Sequence, residues 1–148
     1  MARRMGIILG LALACSSMGC GKPQLDKVAE AQVDATKKAN AEAMGTKILS
    51  AWAKDEYPLL GDEAAEPFRK AHNAEDAQRA ADKSIEKELG SFVTMTYHET
   101  LRTKDGKMDV FRFKATFDKS KVASEVRVVL DAQGKLTGFW VKPWKDQL

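Results

Sequence analysis

Cysteine is scarce in this chain and badly placed for structure. The 148 residues hold two, Cys15 and Cys20, both near the N-terminus. No disulfide can therefore staple the rest of the chain, and no thiol can serve it as nucleophile or metal ligand. Histidine is equally thin: His72 and His98 stand far apart with no flanking carboxylate pattern, so the spacing of a metal site is missing. No apolar run approaches the roughly twenty residues that cross a hydrocarbon core. The glycines do not gather into a phosphate loop; Gly90, Gly106 and Gly134 each punctuate an expected turn. An excess of one charge is lacking as well. The formal net charge is +3, and taking Arg3 and Arg4 from the 24 Lys and Arg leaves 22 against 21 Asp and Glu, a formal +1. Such a balance offers no global field for nucleic acid. No cofactor and no metal are expected.

What is present begins at the N-terminus. Arg3 and Arg4 precede an apolar stretch from Met5 to Ala14, and Ser17-Met18-Gly19 leads to Cys20. A basic start, a short apolar segment and a small residue before a cysteine have the layout of a bacterial lipoprotein signal peptide. Residues 1–19 are thus expected to be a leader, and Cys20 the site of an acyl anchor such as palmitate. Cys15 remains the alternative, because Ala12-Leu13-Ala14 before it also reads as a small-x-small cleavage site. Gly21, not Asp, follows Cys20. By analogy with lipoprotein sorting, the expected location is the outer membrane, facing the periplasm.

Residues 20–42 are rich in Ala, Lys, Gln and acids, with Leu25, Val28 and Val33 as the only larger apolar groups. They are expected to form an Ala-rich helical tether, or a frayed extension of the first helix. The domain proper is expected over residues 43–148. Met44, Ile48, Leu49 and Trp52 recur at helical spacing, and Pro58 and Gly61 are expected to end that helix. Pro67 suits the first turn of a short second helix, with Phe68 and Ala71 inward. Asn73 is the expected N-cap of a third, whose inner stripe is Ala77, Ala81, Ile85 and Leu89, with Gly90 after its end.

At Ser91 the apolar period changes to two. Val93, Met95, Tyr97 and Leu101 alternate with Thr94, Thr96, His98 and Thr100. Lys104-Asp105-Gly106-Lys107 is a hairpin signal. Beyond it Phe111, Phe113, Ala115 and Phe117 share one face, and Val110, Arg112, Lys114 and Thr116 the other. Val122 to Leu130 and Leu136 to Val141 complete the set, joined through Asp131–Lys135. The expected class is α+β: three N-terminal helices packed on a curled four-stranded antiparallel sheet.

That order of elements, the closing stretch Val126–Val141 with its Gly134-Lys135 turn and Gly138-Phe139, Trp52 followed by Asp55, and Phe113 with Phe117 together resemble the cystatin-like or nuclear transport factor 2-like superfamily. The resemblance covers about residues 43–145. It implies a pocket between the concave sheet and the first helix, in which enzymes of the superfamily place an Asp or His base. It says little of function, because this fold hosts enzymes, binding modules and domains without known activity alike.

Several side chains are candidates for chemistry. His98, beside Thr96, Thr100 or Arg112, would accept a proton if its strand face lined the pocket. Tyr97, Glu99 and Asp109 are lesser candidates; Asp109 is expected to end or solvate its strand. His72 is expected in the last turn of a helix, where the dipole favours a cation. Arg112 is expected on a solvated outer face. Phe139, Trp140 and Trp144 form an aromatic group for a ligand or partner surface, although Phe139 and Trp140 must face opposite sides of a strand. Trp144 could instead fold back over the open end of the sheet.

The expected role is a lipid-anchored, non-enzymatic binding or accessory module of the bacterial envelope. Its expected partners are the membrane, through the anchor, and an envelope protein or small ligand. The alternatives are a small-molecule enzyme of isomerase or dehydratase type with His98 as base, and a structural component that pairs through a sheet edge.

Overall fold

The computed structural model describes Leu9–Gly10 and residues 24–146. The leader charges Arg3 and Arg4, both cysteines and Gly21 lie outside the described residues. The class is α+β, with three α-helices on an antiparallel open sheet. The short strands are β1 (Leu9–Gly10) and β2 (Leu25–Lys27). The helices are α1 (Ala35–Trp52), α2 (Glu66–His72) and α3 (Ala77–Leu89). A meander follows: β3 (Phe92–Thr103), β4 (Met108–Phe117), β5 (Ser124–Asp131) and β6 (Leu136–Pro143). The spatial order is β1-β6-β5-β4-β3-β2, so the meander is the expected four strands and the short ones extend its edges.

The expected tether is part of the fold. Leu25–Lys27 pairs with Leu101–Thr103, and Val28 is buried. Asp34 then caps α1, its carboxylate accepting from the Lys37 amide at 2.9 Å. The helix runs unbroken across the boundary expected at residue 42. Ala41, Gly45, Ile48 and Trp52 make one buried stripe with Leu49. The small residues belong there because α1 lies close on the sheet: a Cβ on Gly45 would sit 2.8 Å from Met95 Cε and 3.3 Å from Val128 Cγ2. A three-residue strand has no alternation to read, and an Ala-rich helix face looks exposed until a close packing partner is known. The helix ends at Trp52, with Ala53 as its C-cap, before Pro58 is reached.

Asn73 closes α2 and does not open α3. Its side chain pins the preceding loop, accepting from Leu60 N at 2.9 Å and donating to Leu60 O at 2.8 Å. Asp76, at φ 62°, occupies the N-cap of α3. Gly90 at φ 86° turns the chain into β3; a Cβ there would lie 1.9 Å from Asp118 Oδ1, the group that accepts from Ser91 N.

A bulge breaks the period of β3. Tyr97 faces Phe113 and Glu99 faces Arg112, so His98 is the extra residue. Beyond it the faces exchange. Thr100 turns inward opposite Phe111, while Leu101 turns outward opposite Val110. The main core lies between α1 and the inner face, on Ile48, Leu49, Trp52, Phe111, Phe113, Phe117, Val126, Val128, Leu130 and Phe139. A smaller outer cluster joins Leu101, Val110 and Val129, with Leu25 and Trp140 packed on it.

Candidate functional site

The first two residues of the inner stripe of α3, Ala77 and Ala81, are small. Where the stripe faces Trp52 of α1, Phe68 and His72 of α2, and Phe139 and Val141 of β6, a cavity of about 290 Å³ remains. Ala77, Ala81 and Ile85 are only half-buried although they point inward, because alanines cannot fill the distance to the aromatic wall. The wall itself is fixed. Trp52 Nε1 donates to Gln78 Oε1 at 3.0 Å, and Gln78 Nε2 donates to the Pro58 carbonyl at 3.0 Å. Trp52 also meets the Phe139 ring edge-on at 6.1 Å.

His72 is the polar feature of this cavity. It is 4 % exposed and stacks between Trp52, at 6.3 Å, and Phe68, at 5.7 Å. Burial pushes its pKa down to about 4, against smaller upward pulls from Gln78 and the Pro58 carbonyl. The imidazole is therefore neutral at pH 7, which corrects the expected role of a dipole-favoured cation. Its Nε2 has no hydrogen-bond partner among the described residues. No charged side chain lines the cavity. A second recess of about 30 Å³, beside Asp55, Asp82 and Ser91, is large enough only for water.

The opposite face of the sheet carries a charge network. Arg112 is fully buried, which corrects the solvated position expected for it. It donates to Glu99, to Glu125 Oε2 at 2.9 Å and to the Lys145 carbonyl at 2.6 Å. Arg127 pairs with the other oxygen of Glu125, and Lys27 approaches Glu99 at 3.2 Å. Burial alone would raise Glu125, but Arg112 and Arg127 outweigh it and hold the carboxylate below its ordinary range. Burial likewise works against ionised Glu99, and Arg112 and Lys27 reverse it. The chain after β6 crosses this network. Trp144 lies 5.1 Å from Arg112 Cζ and 5.1 Å from Lys114 Nζ, and its Nε1 donates to Asp146 at 2.8 Å.

The aromatic group read from the sequence is divided by the sheet. Phe139 is a buried wall of the cavity, 7 % exposed, and cannot form an exposed platform. Trp140 lies on the outer face with its ring over Gly138, where a Cβ would come within 2.2 Å of it. Trp144 folds back, as its alternative reading had it, but over Arg112 and His98 and not over the helices. His98 is exposed, meets Trp144 edge-on at 4.8 Å, and lines neither cavity. Tyr97 shares a hydrogen bond with Thr100 at 2.9 Å. Asp109 is buried, not solvated: Arg102 Nε donates to it at 2.6 Å and Lys37 of α1 lies at 3.7 Å.

Sequence reasoning missed the roles of His72, Gln78 and Glu125. A signal existed for the first two: aromatic Trp52, Phe68 and Phe139 set against Ala77 and Ala81 leave a volume deficit. None existed for Glu125, whose partner Arg112 comes from the neighbouring strand. Among the described residues, no helix is long and apolar enough to cross a membrane, and no three His, Cys, Asp or Glu side chains converge as metal ligands would. No protein family, no curated protein and no solved structure matches the chain.

Proposed function

We propose that this protein is a lipid-anchored binding module of the bacterial envelope, not an enzyme, and that its binding site is the cavity between α2, α3 and β6. The observation that carries the binding half is about 290 Å³ of space walled mainly by aromatic and aliphatic side chains, with His72 and Gln78 as its polar lining residues. Apolar walls with one or two placed polar groups are the usual make-up of a small-molecule site. The anchoring half rests on Arg3-Arg4, the apolar stretch and Cys20, with Cys15 as the alternative lipid site. The anchor restricts the module to the periplasmic face of the outer membrane and raises its local concentration there. The order of a short strand, helices and an antiparallel meander supports a fold of the cystatin-like or nuclear transport factor 2-like type.

The competing reading makes His98 the base of an isomerase- or dehydratase-like enzyme. It needs His98 inside a pocket, and His98 sits exposed against Trp144 on the far face. The test is titration with the neutral apolar fluorophore N-phenyl-1-naphthylamine. The proposal expects saturable one-to-one binding that Ala81→Phe abolishes by filling the cavity and Trp144→Ala leaves intact. Absence of saturable binding, or loss in Trp144→Ala alone, contradicts it.

A further inference from the structure

On the face of the sheet away from the helices, an apolar row runs from Leu25 on β2 through Leu101, Val110 and Val129 to Trp140 on β6. Beside it the two buried acids are already taken: Glu99 by Arg112 and Lys27, Glu125 by Arg112 and Arg127. Lys114, Lys142 and Lys145 form no ion pair among the described residues. Lys114 lies 5.1 Å from the Trp144 ring and Lys142 lies 5.8 Å from the Trp140 ring. Burial, then Arg127 and more weakly Lys145, push the Lys142 ammonium down against an upward pull from Glu125. Asp146 is the acid of the closing segment, and it accepts from Trp144 Nε1. Positive charge is thus crowded on this face although the whole chain is near balance. We propose that this outer face lies on the membrane, its lysines against the phosphates of anionic phospholipid and its tryptophans at headgroup depth. The inference rests on the reading of Cys20 as the lipid site and adds the orientation of the domain on the bilayer.

Chain length supplies the first argument. An extended residue spans at most about 3.6 Å, so the stretch from Cys20 to Leu25 reaches no further than roughly 18 Å. Leu25 pairs with Thr103, and its side chain packs on the outer cluster. Later residues add no slack, because β2 and α1 belong to the folded domain. A lipid on Cys20 therefore brings the outer face close to the headgroups. Side-chain chemistry supplies the second. Tryptophan gathers at membrane interfaces, where one end of the ring is apolar and the N–H is wet. Each lysine near an anionic surface strengthens binding by about fivefold. The inner face is taken by the helices, so the cavity between α2, α3 and β6 is turned to the aqueous side.

The test places the acylated, isotope-labelled mature chain in phosphatidylglycerol nanodiscs doped with a nitroxide-headgroup lipid. The indole N–H signals of Trp52, Trp140 and Trp144 are then followed. Trp140 and Trp144 should lose most of their intensity, while Trp52, buried against the helices, keeps its own. Replacing phosphatidylglycerol by phosphatidylcholine, raising the salt, or combining Lys114→Glu with Lys145→Glu should each restore both signals several-fold. The first two need no variant and serve if the double substitution does not fold. Signal loss that ignores lipid charge and salt overturns the role of anionic phospholipid. Full intensity at Trp140 and Trp144 in an acylated chain overturns the orientation, leaves the anchor standing and frees the face for a protein partner. A mature chain without acyl mass overturns the anchor and this inference with it.

Discussion

The rings of His72 and Trp52 stack 6.3 Å apart at an interplanar angle of 14°, although they come from different helices. The indole N–H donates to Gln78 at 3.0 Å. The contact fixes the wall of the cavity and keeps a titratable ring dry. Under the proposed function, stability and ligand binding share a residue.

The first prediction concerns pH. His72 titrates near 6.5 when unfolded and about 4 when folded, so the unfolded chain binds the proton more tightly. The stabilisation from keeping the ring neutral is complete above about pH 6.5 and is lost as pH falls towards about 4. Its limit is about 3 kcal/mol, taking about 1.4 kcal/mol per pH unit. Urea unfolding between pH 7.5 and 4 should show this loss in the wild type and a shallower one in His72→Phe.

A second prediction concerns the outer face. Arg112→Ala leaves Glu99 and Glu125 without their shared partner. The loss should be about 3–5 kcal/mol, the usual effect of stripping one member from a buried pair. Replacing Arg112, Glu99 and Glu125 together by Met, Leu and Leu should recover most of it. Denaturant midpoints decide the matter; a neutral Arg112→Ala would show that the network is solvated.

Gly45 gives a third. Alanine gains about 1 kcal/mol of helix propensity there but presses Met95 Cε at 2.8 Å, a flexible end that can yield. Gly45→Ala should stay within about 1 kcal/mol of wild type by thermal melting. Gly45→Val adds two methyl groups beyond a Cβ already 3.3 Å from Val128 Cγ2 and should lose about 2–3 kcal/mol through overpacking.

The anchor supplies a fourth. The mature chain should begin at Cys20, carry added acyl mass and fractionate with membranes. Intact mass and fractionation of wild type, Cys20→Ala and Cys15→Ala should show loss only in Cys20→Ala. Loss only in Cys15→Ala would move the lipid site, and a soluble unacylated wild type would remove the anchor from the account.

Which parts of this architecture are legible in the sequence depends on how local their causes are. Ile48, Leu49 and Trp52 announce the buried face of α1 by spacing, and Asp105-Gly106 and Gly134 announce their turns by backbone demand. The alternation of β4 correctly assigns Phe111 and Phe113 to one face and Arg112 to the other. It does not reveal that Trp144 and Lys145 cover Arg112, because period two names a face and not its neighbours. The bulge at His98 is similarly hidden: one extra residue leaves composition untouched yet sends Leu101 outward. The cavity needs the relative placing of α2, α3 and β6, which no single segment encodes.

The central claim is that ligands enter the α2–α3–β6 cavity and not the outer face. The most direct measurement is amide and side-chain chemical-shift mapping of the isotope-labelled protein as N-phenyl-1-naphthylamine is added. The account predicts saturable shifts at Trp52, Phe68, His72, Ala81 and Phe139, with His98, Arg112 and Trp144 unmoved. Shifts centred on His98 and Trp144, with the cavity residues silent, would contradict it.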